Sequence, residues 1–259
     1  MSSQCLPASS SRKTDTVAVL PGPQAAVLAI LPDFEAVAES PVCPDRPPPF
    51  GHVSADLPGR IADSSRDLPG SLATVSKNHS LFFAAAKRVL AQVPKARFLL
   101  VGDQLCGSQD GSDVYKACMS RFVEELGLRE RCLFLGNRDD VERVYPACHV
   151  TVLSSLYEGT PNVLLESMAC GVPVVATDVS DNRYVVPDGE VGYIVPLDDV
   201  SAMADRICRL LANEDLRQQL GKQARTWTER EFSISQLAKR TEAVYLEALA
   251  SHPAYAPSA

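Results

Sequence analysis

The chain carries two carboxylates at a spacing that suggests chemistry. In the stretch SLYEGTPNVLLESMACGVPVVAT, Ser155 to Thr177, Glu158 and Glu166 are separated by seven residues around a Gly-Thr-Pro-Asn turn. Pro161 near the first turn of a helix leaves backbone N–H groups pointing outward with the positive end of the helix dipole, which is a ready site for an anion such as phosphate. Glu158 precedes that helix and Glu166 lies about a turn into it, roughly 6 to 8 Å along the axis at ~1.5 Å per residue. The two acids would flank a central anion. Carboxylates accept hydrogen bonds from paired hydroxyls, so one acid can hold a sugar on one side of a diphosphate and the other a ribose on the other side. A nucleotide sugar has that layout. Taken as an arbitrary pair, the same glutamates would be a loop acid and a solvent-facing helix acid, so the reading depends on what positions them.

From about Ser71 onward, helices and short apolar strands alternate. Apolar residues at helical spacing predict a helix over Leu81 to Val93, after a polar Lys77-Asn78-His79-Ser80 start, and the run from Arg97 to Gly102 predicts a buried strand. A helix from Tyr115 to Leu126 closed by Gly127, a strand from Cys132 to Leu135 ended by Gly136, and a short helix from Asp139 to Tyr145 follow. Strands are expected at His149 to Leu153, Pro173 to Ala176 and, after a loop, Gly192 to Val195. A helix over Asn162 to Ala169, stopped by Gly171, sits between the first two. The tail reads as three helices: Val200 to Leu211 behind Asp198 as its cap, Asp215 to Arg230, and Ser235 to Ala250. This is the pattern of an α/β fold with a doubly wound, Rossmann-like parallel sheet and C-terminal helices. Such sheets bind ligands at the carboxyl ends of their strands, and the loop after His149 to Leu153 carries Glu158.

Residues 1–70 differ in character. The Ser-rich start and CPDRPPPF, Cys43 to Phe50, have little periodicity, and Asp56 to Gly70 reads as turns, so an irregular or disordered segment is expected ahead of a domain spanning 71–259. Within it the apolar patch Ala25 to Leu31 suits a strand or a short helix equally. A net charge of -7 argues against nucleic acid as a partner. No apolar run is long enough to span a bilayer and the N-terminus has no secretory layout, so a cytoplasmic location is expected. None of the eight cysteines forms a C-x-x-C pair, which points to buried, reduced thiols rather than zinc or disulfides. His79 and His149 are read as structural.

The whole run from Ser155 to Ala176 resembles the signature of the group 1 retaining glycosyltransferases of the GT-B fold, the glycogen synthase and sucrose synthase-like family. The likeness rests on the acid spacing, the Gly after the first acid, and the Cys-Gly-Val-Pro-Val-Val-Ala continuation, and it extends over about Leu72 to Leu249. It implies one GT-B half, the donor-binding one. In that family the first acid contacts hydroxyls of the donor sugar, which maps to Glu158, and the second binds the ribose hydroxyls, which maps to Glu166. The turn Gly159, Thr160, Pro161 and Asn162, with Val163, would hold phosphate and sugar oxygens. A lysine at the start of the first helix neutralises the diphosphate, which maps to Lys77. The segment Gly136, Asn137 and Arg138 is similar to the one that packs against the base. The resemblance implies a UDP-, GDP- or ADP-sugar as donor, no metal and no further cofactor, and a carbohydrate, lipid-linked or other acceptor. Membrane contact in such enzymes is peripheral.

The chain departs from the family in two places. Where relatives carry Gly-Arg-Leu, with the arginine a second cation for the diphosphate, this chain has Gly70-Ser71-Leu72. The expected preceding strand falls on the polar SSRDLP, Ser64 to Pro69. Residues 1–70 are also too few and too weakly patterned for an acceptor domain of usual size. Three readings therefore stay open: a retaining glycosyltransferase or its donor-binding part, a catalytically silent nucleotide-sugar-binding module to which a partner supplies the acceptor domain, and a nucleotide-sugar epimerase of the same fold.

Overall fold

The structure is a computed structural model that describes residues 27–31, 77–102, 112–136, 138 and 140–252. Its centre is a six-stranded sheet built from β1 (Val27–Leu31), β2 (Arg97–Val101), β3 (Cys132–Gly136), β4 (Val150–Leu153), β5 (Val174–Thr177) and β6 (Gly192–Val195), in the order β3-β2-β1-β4-β5-β6. β2 pairs with β3 in parallel, as do β4 with β5 and β5 with β6. β1 lies between β2 and β4 and is antiparallel to both. β2 to β6 consequently share one direction, and their carboxyl ends collect on one edge of the sheet.

The five parallel strands fall where the apolar runs predict them. β1 settles the ambiguity at Ala25 to Leu31: the patch is a strand, and it occupies the middle of the sheet with Ile30 fully buried. A short, wholly apolar run suits a strand covered on both faces. Its reversed direction is a departure from the all-parallel pattern. The other features expected of residues 1–70, including those at Ser64 to Pro69, lie outside the described residues.

Eight helices are described: α1 (His79–Gln92), α2 (Ser112–Glu125), α3 (Val141–Val144), α4 (Asn162–Ala169), α5 (Asn182–Val185), α6 (Val200–Ala212), α7 (Glu214–Phe232) and α8 (Ile234–Ser251). Alternate strand residues feed opposite faces. Phe98, Leu100, Val150, Val152 and Val175 pack under α1, α2 and α6. Leu153, Val174, Ala176 and Ile194 pack with α4, α5 and α7 on the other side. Phe82 meets Phe83 and Phe98 edge to face at 5.5 and 5.8 Å, pairs worth about 0.5–1.5 kcal/mol each beyond the area they bury.

α4 matches its expected span and ends at Gly171, whose φ of 76° and amide bond to Met168 O form a left-handed cap. α7 crosses this end so closely that a Cβ on Gly221 would lie 2.1 Å from Gly171 O, which is why position 221 is glycine, while Gly171 answers to its left-handed φ. Three details differ from expectation. Asp199, not Asp198, caps α6 by accepting from Ala202 N at 2.8 Å, because Asp198 turns into the left-handed region at φ 61°. The stretch between β5 and β6 is not all loop but contains α5. The segment Asp139 to Tyr145 divides into α3 and a 3-10 turn over Tyr145–Ala147. Among the described residues, no helix is long and apolar enough to cross a membrane.

Candidate functional site

The site grows from the end of β4. Ser154 and Ser155 follow the buried strand Val-Thr-Val-Leu and are themselves fully buried, and both hydroxyls are used. Ser154 Oγ donates to the Lys77 carbonyl at 2.8 Å and Ser155 Oγ to Glu158 Oε1 at 2.5 Å. Buried Thr177, at the end of β5, donates to the Ser155 carbonyl at 2.6 Å, and Glu158 N donates to Ser180 Oγ at 3.0 Å. Polar groups buried without such bonds would each cost about 1–3 kcal/mol, so this network fixes the loop's path.

Lys77 and Glu158 meet across the sheet edge. Lys77 Nζ lies 2.7 Å from Glu158 Oε1, with the side chains only 13% and 11% exposed. The lysine is held from behind as well. Asn78 sits in the left-handed region at φ 45°, and its Nδ2 donates to Asp198 Oδ1 at 3.1 Å, so two left-handed polar residues brace one another. Asn and Asp are the non-glycine residues that tolerate this conformation best. Next in sequence, His79 is buried to 0% exposure. Burial, with the nearby Lys77 charge, lowers its pKa to about 4, so it is neutral at pH 7.

The turn Gly159-Thr160-Pro161 leads into α4, with Pro161 at the cap position and its carbonyl accepting from Leu164 N at 3.0 Å. Asn162 N is engaged inside the turn, donating to Thr160 O at 3.0 Å. The amides of Gly159, Thr160 and Val163 donate to no described acceptor and are the N–H groups open to an oxyanion.

Glu166, one turn into α4, is half-buried. Its Oε2 accepts from Tyr145 OH at 2.8 Å. Burial raises the Glu166 pKa above the usual carboxylate value, and the bond from Tyr145 opposes that rise. Burial, then the neighbouring Glu166, pushes the Tyr145 phenol far up, so it stays a proton donor. On the other side of β1, Gly136 ends β3 at the same edge. Arg138, 13% exposed, grips Asp140 through Nε at 2.8 Å and Nη2 at 2.9 Å, which holds the Asp140 carboxyl below its ordinary pKa. Asn137 lies outside the described residues.

The structure thus brings Lys77, Glu158 and the Gly159–Val163 turn together, with Glu166 a turn further along α4. The cation and the open amides can stabilise an oxyanion, and the carboxylates can accept from hydroxyls. Sequence reading did not find Tyr145, Ser155 or Ser180. Two serines directly after an apolar strand were a visible signal for Ser155, whereas nothing local links Tyr145 to an acid 21 residues away. Of the thiols in described surroundings, Cys148 and Cys208 are buried, Cys132 and Cys170 are partly exposed, and all four are free.

Comparison with known proteins gives a consistent answer. The family described as glycosyl transferases group 1 matches residues 69–227. N-acetyl-alpha-D-glucosaminyl L-malate synthase of Bacillus anthracis is 31% identical over 156 residues, 60% of this chain and 38% of that protein. UDP-Gal:alpha-D-GlcNAc-diphosphoundecaprenol alpha-1,3-galactosyltransferase of Escherichia coli is 25% identical over 66% of this chain and 42% of its own length. Sucrose-phosphate synthase of Thermosynechococcus elongatus superposes with a TM-score of 0.58 at 29% identity, over 68% of this chain and 44% of that one. The chain therefore spans about two-fifths of the length of the curated relatives it matches.

Proposed function

From its membership of the group 1 glycosyl transferases, the family to which this chain belongs, we propose that it binds a nucleotide-diphosphate sugar. In this reading the site at the carboxyl edge of the sheet is the donor half of a hexosyltransferase that acts with retention. The observation that carries the reading is the buried Lys77–Glu158 ion pair beside the open amides of Gly159, Thr160 and Val163, one helical turn from a half-buried Glu166. The name of the E. coli relative, a UDP-Gal-dependent galactosyltransferase, supports a nucleotide sugar as donor.

In this proposal the diphosphate lies between Lys77 and the turn amides. Both described donors to Glu158, Lys77 and Ser155, end on Oε1, so Oε2 is the oxygen that accepts from a sugar hydroxyl. Glu166 accepts from the ribose, and the Gly136 to Arg138 segment borders the base. When the bond between the anomeric carbon and the diphosphate oxygen breaks, its electron pair stays on the departing diphosphate. Lys77 and the amides stabilise that charge, more strongly in the transition state than in the bound donor. No metal is required by this set of groups. The acceptor oxygen bonds to the anomeric carbon and gives up its proton to the departing diphosphate oxygen, and the acceptor, carbohydrate or lipid-linked, is bound by a second domain.

Calorimetric titration of the purified chain with UDP-glucose, GDP-mannose, ADP-glucose and their parent diphosphates, without metal, tests the binding claim. Binding of one series is expected, and binding of none overturns the proposal. Slow release of nucleoside diphosphate from the bound donor separates an enzyme from a binding module.

A further inference from the structure

We propose that Tyr145 is a positioning residue for Glu166, orienting its carboxylate for a ligand hydroxyl. This rests on the donor-pocket reading above. Tyr145 is 1% exposed, and its ring is packed among Leu99, Val101, Val144, Val163 and Val172, so its hydroxyl has one fixed direction. That direction ends on Glu166 Oε2 at 2.8 Å. With Oε2 occupied, Oε1 is the atom left to accept from outside, and the carboxylate plane is set before a ligand arrives. Pre-set acceptors bind hydroxyls without an ordering cost at the moment of association.

The contact also counters a liability of the site. Glu166 is buried enough that desolvation favours its neutral form, and a neutral carboxyl is a poorer acceptor for two hydroxyls. The phenol, itself kept protonated by burial, donates to the ionised form and pulls the balance back. The other titratable groups in this neighbourhood are Cys148 beside Tyr145, and Cys170 at the end of α4, which in turn faces Arg225 and Glu142. Both thiols are shifted upward by burial, so they stay neutral and contribute no charge near pH 7. The bond from Tyr145 is therefore the specific contact that opposes the burial-driven rise at Glu166. Tyr145 stands on the 3-10 turn that follows α3, whose capping residue Asp140 is gripped by Arg138. One short segment thereby connects the proposed base-side residue to the proposed ribose-side acid.

The test is Tyr145→Phe, which keeps the ring and removes the hydroxyl. Side-chain carboxyl NMR titration of Glu166, which needs no ligand, should show its midpoint raised in the variant. Calorimetry should show nucleoside diphosphate binding weakened by about tenfold at neutral pH, with the acid-side loss of binding beginning at a higher pH than in the parent. Incorporation of 3-fluorotyrosine at position 145, a stronger donor in the same shape, should move the Glu166 midpoint downward and covers the case in which the Phe variant fails to fold. An unchanged Glu166 midpoint in these variants, or weakened binding with an unmoved pH profile, overturns the positioning role. A shifted midpoint in a parent chain that binds no nucleotide would leave the contact standing and overturn the donor-pocket reading on which its purpose rests.

Discussion

Replacing Lys77 by Met removes one partner of an ion pair that water scarcely reaches. At 2.7 Å and an effective dielectric of about 20, the direct attraction is ~6 kcal/mol, most of which offsets the desolvation of both charges. Deleting one member of a fully buried pair costs about 3–5 kcal/mol because the other is stranded. Here roughly a tenth of each side chain still meets solvent and Ser155 continues to donate to Glu158, so about 2 kcal/mol is expected for Lys77→Met. Glu158→Gln should cost a similar amount, since Lys77 would then face only a neutral amide. The double variant strands nothing and should be no less stable than either single one, giving a coupling energy of about 2 kcal/mol. Urea unfolding followed by circular dichroism reads these differences as shifts in midpoint at constant slope. Additive costs, within about 0.5 kcal/mol, would refute the claim that the two residues form one buried electrostatic unit.

Other consequences are equally specific. His79 is neutral in the fold with a pKa of about 4 but ordinary when unfolded, so the folded state binds fewer protons between the two values. Stability should be full above about pH 6.5 and fall as pH drops toward 4, by at most about 3 kcal/mol. Urea midpoints measured across that range should show a flatter profile for His79→Leu, and an identical slope would contradict the account. Gly221→Ala places a methyl group 2.1 Å from Gly171 O and should force α7 away from α4. A loss of about 2 kcal/mol or more, seen as a drop in Tm, is expected, whereas an unchanged Tm would show that the helices do not approach as described. For Glu166, burial raises the folded pKa, so the folded state holds its proton more tightly and pays an increasing penalty as pH rises above 4.5. Glu166→Gln should therefore gain stability relative to the parent over that window, and a gain on the acid side instead would reverse the sign argued here.

Much of this fold can be read from the chain because its information is local. The apolar runs at Arg97 to Val101 and Gly192 to Val195 are too short for helices and too apolar for surface loops. The stop at Gly171 follows from a conformation that glycine adopts most easily. What escaped was non-local or shared between neighbours. Val27 to Leu31 is a strand because β2 and β4 flank it, and nothing within five residues encodes those partners or the reversed direction. Position alone pointed to Asp198 as the cap of α6, whereas Asp199 takes that role and Asp198 instead accepts from Asn78, 120 positions away. In the site, Glu158, Glu166 and the turn are contiguous and were legible, while Lys77 was recoverable only through resemblance. The partners that hold them in place, Tyr145 and Ser180 above all, belong to other elements and carry no local signature.

In the proposed donor pocket, Glu158 and Glu166 divide one ligand between them. Titrating the parent chain, Glu158→Ala and Glu166→Ala with a nucleotide sugar and with its parent nucleoside diphosphate tests that division directly. Glu166→Ala is expected to weaken both ligands, while Glu158→Ala weakens only the sugar-bearing one. Equal weakening of the plain diphosphate by both replacements, or no effect of either, would contradict it.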